Sequence, residues 1–258
     1  MPTSDHKTAL VTGSGRRRVG NCIARMLAAC GYSVVVHYHL SPDSAHATVA
    51  EIEAAGGRAA ALPADVGDEG DVRRLVRRTV ERFGSLDALV TAAAIWERKP
   101  LEKVTADDVR RHFEVNALGT FLCCREAGLW MAGRSEGGAI VTVGDWAVER
   151  PYLDYAAYFP SKGAIPALTR SLAVELAERN PAVRVNCVLP GPVMLPADLP
   201  AEERQDAIAG TLVKHEGRPE DVAQAVLFLL ESPFITGVCL PVDGGRTIAG
   251  VRSWTAPR

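Results

Sequence analysis

Seven short apolar runs alternate with longer segments of helical spacing, and this rhythm constrains the fold more than any other feature. The runs are TALVTG (8–13), SVVVHY (33–38), RAAALPAD (58–65), LDALVTAA (86–93), GAIVTVGD (138–145), VRVNCVLPG (183–191) and GVCLPVDGG (237–245). Between them lie NCIARMLAACG, DSAHATVAEIEAAGG, DVRRLVRRTVERFG, a long tract from about Thr105 to Ala132, a segment through SLAVELAERN, and PEDVAQAVLFLLES. Strands that are apolar throughout, not alternating, belong to a parallel sheet covered by helices on both faces. The pattern predicts an α/β chain with one doubly wound Rossmann-type domain over 1–258 and a seven-stranded parallel sheet. A Pro-rich interruption, PGPVMLPADLPAEER (190–204), reads as a flexible insert covering a site around 190–210.

Composition narrows the function. A formal charge of −2 argues against an electrostatic grip on nucleic acid or an anionic membrane. No apolar run reaches the roughly 18–20 residues of a membrane span, and MPTSDHK lacks the basic-then-apolar order of a signal peptide. A soluble, cytoplasmic protein is expected. The six cysteines form no CxxC pair and no Cys/His set of zinc spacing, so reduced thiols and no metal are expected.

The first strand runs directly into Thr12-Gly13-Ser14-Gly15-Arg16-Arg17-Arg18-Val19-Gly20 and then into a helix. Glycines permit the tight turn, and the helix N-terminus offers unpaired N–H groups to a pyrophosphate. At the end of the second strand an acid would bind the adenosine ribose and repel a 2′-phosphate. This chain has His37-Tyr38-His39-Leu40-Ser41 there, with Arg16 to Arg18 nearby. NADP(H) is therefore expected over NAD, although the histidines could instead satisfy local backbone groups.

Tyr158 and Lys162 are four apart and share one face of a helix. A nearby ammonium lowers the pKa of a tyrosine toward neutrality, so that it can exchange a proton. Tyr152 and Tyr155 have no lysine at that spacing. Pro160 and Pro166 lie in the same segment, where an interior proline costs about 3 kcal/mol, so a local kink is expected.

With these pieces the chain resembles the short-chain dehydrogenase/reductase family along nearly its whole length. The matching residues are the 12–20 turn, Asp65-Val66, Asn116, YFPSK at 158–162, Pro190-Gly191 and VDGG at 242–245. The resemblance implies that Tyr158 is the general acid or base and that Lys162 holds the nicotinamide ribose. Asn116 would anchor a water leading to Lys162. Asp65 and Val66 would frame the adenine, with Ala93, Pro190 and Gly191 beside the dinucleotide. A homotetramer paired through the fourth and fifth helices (105–132 and the helix carrying Tyr158) is also implied. The family's NNAG is replaced by Thr91-Ala92-Ala93-Ala94.

Where most of that family has a serine, this chain has Asp145, thirteen residues before Tyr158. An ionised carboxylate only accepts hydrogen bonds and would repel the oxyanion formed in ketone reduction. It suits a substrate with N–H groups or one protonated at nitrogen. The same replacement marks the pteridine and dihydrofolate reductases of this fold, which Arg18-Val19-Gly20, HYH at 37–39, Trp96 and DWAVER at 145–150 also resemble. That likeness implies a pterin-like substrate contacting Arg18, Trp96, Asp145, Tyr158 and Met194. Two other readings stand beside it: a carbonyl or 3-oxoacyl reductase, and a dinucleotide-binding sensor without catalysis.

Overall fold

A computed structural model describes residues 6–249. Seven strands form one sheet in the order β3-β2-β1-β4-β5-β6-β7, and every paired neighbour is parallel. They are β1 (Thr8–Thr12), β2 (Ser33–Tyr38), β3 (Arg58–Pro63), β4 (Ala88–Thr91), β5 (Gly138–Val143), β6 (Val183–Pro190) and β7 (Cys239–Val242). Each falls within one of the seven apolar runs. Two clusters of buried side chains flank the sheet: Ala9, Val11 and Val34 belong to one, Leu10, Val35 and Leu89 to the other. Successive strand residues thus feed opposite faces, and both faces are covered, which is why the runs are apolar without alternation.

The helices are α1 (Val19–Ala29), α2 (Pro42–Ala54), α3 (Glu69–Phe83), α4 (Ala106–His112), α5 (Gly119–Ala132), α6 (Tyr158–Arg179), α7 (Ala201–Ala209) and α8 (Pro219–Glu231). Among the described residues, no helix is long and apolar enough to cross a membrane. The expected single helix over 105–132 is interrupted by a π-helical turn at Phe113–Leu118, which carries Asn116. The Pro-rich insert contains α7. Arg204 of α7 pairs with Glu216 at 2.6 Å and donates to the Leu195 and Pro196 carbonyls, tying the segment down. Pro160 stands in the first turn of α6, where its missing N–H would have no helical partner anyway, so it breaks nothing. Pro166 lies inside a helix that runs on to Arg179.

The strand order reverses between β1 and β4, whose carboxyl ends open a crevice at the switch point where such sheets bind ligands. Thr91 ends β4 there, and its buried hydroxyl has no hydrogen-bond partner among the described residues. An unpartnered buried hydroxyl costs about 1–3 kcal/mol. Thr91→Val keeps the shape and removes that group. Its denaturation midpoint is expected to equal or exceed that of the parent protein; a clear fall would show that the hydroxyl has a partner.

Candidate active site

The glycine turn is shaped by contacts that no side chain could share. Gly13 has φ +64°, and a Cβ there would come within 2.6 Å of Ala93 Cα. A Cβ on Gly20 would meet the Gly13 carbonyl oxygen at 2.9 Å. Ser14 is buried and its hydroxyl donates to the Val11 carbonyl, so it braces the turn from within. His37 also faces inward, which corrects its expected place at the cofactor. Its Nδ1 accepts from the Gly13 N–H at 2.9 Å, and its Nε2 lies 3.1 Å from the Ala64 carbonyl, fixing the proton on Nε2. The imidazole is a neutral strut between the turn and the end of β3.

Burial lowers the pKa of His37 from 6.5 to about 4. Between these values the unfolded chain binds the proton that the folded one refuses. Stability from this group is therefore complete above pH 6.5 and is lost as pH falls toward 4, by about 3 kcal/mol. His37→Gln does not titrate, so its denaturation midpoint should fall less steeply than the parent's over that window. Parallel curves would contradict the assignment.

The remaining nucleotide residues surround this turn. Tyr38 and Ser41 border Gly15, whose absent Cβ would meet Tyr38 Cβ at 3.0 Å and Ser41 Oγ at 3.5 Å. His39 is exposed, with Nε2 3.9 Å from Asp65 Oδ2, and the other Asp65 oxygen accepts from the Gly67 N–H. Val66 is buried against Gly119. The Ala93 N–H donates to Thr12 Oγ1. Gly191 follows Pro190 beside β7, where a Cβ would lie 2.4 Å from Asp243 Cα. Arg17 is exposed and paired with Glu51 at 2.9 Å; Arg16 and Arg18 are exposed with no side-chain partner among the described residues.

The chemistry-bearing groups converge at the ends of β5 and α6. Tyr158 is the first residue of α6, and its hydroxyl donates to Asp145 Oδ2 at 2.7 Å. Asp145 follows β5, and its Oδ1 accepts the Ala147 N–H at 2.8 Å. Lys162, one turn along α6, is buried and donates to the Val143 carbonyl at 2.8 Å. Burial raises the Asp145 pKa, opposed by the Ala147 N–H, the Tyr158 hydroxyl and the Lys162 charge. Burial also lowers that of Lys162, with Asp145 opposing. The expectation that Lys162 lowers the pKa of Tyr158 is corrected. Burial first, and then the facing Asp145 carboxylate, push the phenol well above its ordinary value. The group facing the phenol is an anion, and the ammonium instead moderates that anion.

Asn116 is fully buried, and its amide closes on the backbone of Ile95 in both directions, with the N–H of Ile95 at 2.9 Å and the carbonyl at 3.0 Å. Its second amide hydrogen goes to Ser161 Oγ, whose hydroxyl donates to the Tyr158 carbonyl. The side chain thus links the segment after β4 to the start of α6. Sequence reasoning passed over Ser161 and His112. His112 lies one turn before Asn116, buried, with its ring 6.3 Å from that of Tyr158. Its Nδ1 sits 2.7 Å from the Asp108 carbonyl, while Nε2 has no partner among the described residues. The four-residue spacing to Asn116 was the available signal.

Trp96 stacks on Tyr155, with centroids 4.9 Å apart and planes 11° apart, and remains 38% exposed. Tyr152 and Phe159 extend this wall edge-to-face toward Tyr158. Arg18 and Met194 share a second feature. They line a groove of about 710 Å³ with Arg17, Cys22, Arg25 and Glu220, and Asp145, Tyr158 and Trp96 do not border it. The structure brings Trp96, Asp145 and Tyr158 into one region.

The residues fit a dinucleotide. The backbone is bare at Gly13, Gly20 and Gly191, where side chains would collide, and two unpaired arginines flank the first helix N-terminus. Comparisons with known proteins agree. Residues 14–247 match the family described as enoyl-(acyl carrier protein) reductase. An oxidoreductase of Escherichia coli K12 is 37% identical over 92% of this chain and 99% of that protein. Carbonyl reductase family member 4 of Xenopus tropicalis is 36% identical over 90% of this chain and 94% of that protein. The crystal structure of a dehydrogenase/reductase from Sinorhizobium meliloti 1021 superposes with TM-score 0.85 at 37% identity, covering 93% of this chain and 94% of that one. With this sheet order, this glycine cradle and these relatives, the chain belongs to the short-chain dehydrogenase/reductase family, oxidoreductases that use a nicotinamide dinucleotide.

Proposed function

We propose that the protein is an NADPH-dependent reductase of a C=N bond in a pterin-like heterocycle. The observation that carries this reading is the 2.7 Å hydrogen bond from Tyr158 to Asp145, a carboxylate that can exchange a proton but cannot host an oxyanion while ionised. Arg16 and Arg18, beside a β2 end that carries no acid, support NADPH over NADH. When bound in the glycine cradle, the reduced nicotinamide supplies the hydride. Lys162 and the Pro190-Gly191 backbone would hold its ribose and ring.

The chain's own part is the proton. Burial keeps a fraction of Asp145 protonated above the ordinary carboxylate range. In that form its O–H donates to the Tyr158 oxygen, and the Tyr158 hydroxyl is released toward a ring nitrogen. One proton passes from Asp145 through Tyr158 to nitrogen, and solvent restores it. Trp96, backed by Tyr155, offers an aromatic face to a planar ring. We also infer a homotetramer through α4–α5 and α6. Leu118, Leu129, Trp130 and Val174 support it, being apolar and exposed on these helices and the turn between them.

A carbonyl reductase is the second reading, favoured by the relative that bears that name. There, a protonated Asp145 would donate to the carbonyl in place of serine. A co-crystal structure with NADP⁺ and a dihydropterin tests the first reading. A ring against Trp96 with a nitrogen within reach of Asp145 or Tyr158 supports it; a ring bound away from both contradicts it.

A further inference from the structure

The last two strands at one edge of the sheet, β6 and β7, hold a pair of thiols that the reductase chemistry does not use. Cys187 of β6 and Cys239 of β7 are direct register partners. Parallel neighbours run about 4.8 Å apart, and register partners send their side chains to the same face of the sheet. That spacing lies within the roughly 4.4–6.8 Å between Cα atoms that a disulfide bridges. Both thiols are free. They pack in one small cluster with Ile165, Leu168 and Leu189, in which Cys187 is fully buried and Cys239 half-buried.

We propose that Cys187 and Cys239 are a peroxide-responsive modification site, closing to a disulfide between β6 and β7. The burial difference assigns the roles. Cys239 meets the oxidant, and Cys187 resolves the product from behind. The neighbouring Cys187 thiol, and then Arg170, lower the pKa of Cys239, while that of Cys187 is pushed up. The Cys239 thiolate attacks one peroxide oxygen. The O–O bond breaks, an S–O bond forms, and the departing hydroxide takes a proton to become water. The Cys187 sulfur then attacks the sulfenic sulfur. An S–S bond forms, the S–O bond breaks, and a second water leaves with the Cys187 proton. Two thiols are oxidised by two electrons and one peroxide is reduced to two waters.

No other cysteine combines these features. Cys123 and Cys124 are buried neighbours on α5, where adjacent residues do not face each other, and burial raises both pKa values. Cys22 is pushed up to about 11 by burial and by Glu220. Cys30 is exposed but has no thiol facing it among the described residues. The pair also adjoins the site, since a Cβ on Gly144, the residue before Asp145, would lie 3.2 Å from Cys187 Sγ.

The test treats the native full chain with hydrogen peroxide, alkylates the remaining thiols, and maps peptides without reduction. The expected product has lost about 2 Da before alkylation, the two thiol hydrogens. It yields the Cys187 and Cys239 peptides linked to each other, and dithiothreitol reverses the change. Cys187→Ser should leave a sulfenic acid on Cys239 that dimedone captures. Cys239→Ser should leave Cys187 fully alkylated. The proposal is overturned if both residues of the parent protein are alkylated after peroxide, or if either is recovered linked to Cys30 or to a second chain. It is also overturned if Cys187 oxidises equally fast in Cys239→Ser. The parent peptide map decides alone should either variant fail to fold.

Discussion

Tyr158→Phe is expected to lower kcat by about 10²–10⁴-fold, the usual contribution of a positioned proton donor. Dinucleotide affinity should stay nearly unchanged. The phenol oxygen is the only group that the substitution removes, and its single partner among the described residues is Asp145. The ring itself packs against Phe159, Tyr155 and His112, and phenylalanine preserves these contacts. Folding should therefore be intact, and Asp145 should become more basic or more exposed to water without its donor. Steady-state kinetics together with a titration of NADPH fluorescence separates the two effects. Equal losses in kcat and in cofactor binding would mean that Tyr158 shapes the cradle and does not carry the proton. Full activity in the variant would remove Tyr158 from the proton path, whereas a parent protein that reduces no carbonyl and no pterin would favour the reading of a dinucleotide-binding sensor.

Asp145→Asn should lower kcat on a dihydropterin by at least ~10²-fold and reduce a plain ketone far less. The amide is nearly isosteric. Its one amide oxygen can still accept the Ala147 N–H while its NH2 donates to the Tyr158 oxygen, so the local turn should survive. What it loses is the exchangeable proton. The pH dependence should change in a defined direction. The acid form of Asp145 is the active one, and burial raises its pKa, so the parent's kcat should fall as pH rises above the ordinary carboxylate range. That limb should vanish in Asp145→Asn. A variant that keeps the limb would place the titrating group elsewhere. A variant equally impaired on ketones and dihydropterins would favour the carbonyl reading, with Asp145 as the carbonyl donor.

The sheet was legible because its strands are buried on both faces. Strands such as VVV in β2 and ALV in β4 have no polar alternation to confuse with a helix. The crevice was legible for a related reason: Gly13 must adopt a positive φ against Ala93, and only glycine does so freely. The site was legible in its members more than in its wiring. The Tyr158–Lys162 spacing gives one helix face, but it does not say that Lys162 reaches back to Val143 while a carboxylate faces the phenol. These partners come from β5, whose distance from α6 is set by tertiary packing. His37 shows the same limit. Two backbone groups, one 24 and the other 27 residues away, turn it inward. The π-helical turn around Asn116 likewise depends on Ile95 and Ser161, which no local propensity encodes. Arg18 and Met194 carry no signal of the groove that α1, α2 and α8 build around them.

The measurement that tests the central claim most directly is NADPH oxidation by the parent protein across dihydropterins, quinonoid pterins and small diketones. The Asp145–Tyr158 relay predicts that a pterin has the highest kcat/KM, and Arg16 and Arg18 predict that NADH is a poorer donor for the same substrate. Diketones turned over with higher kcat/KM than every pterin would contradict it.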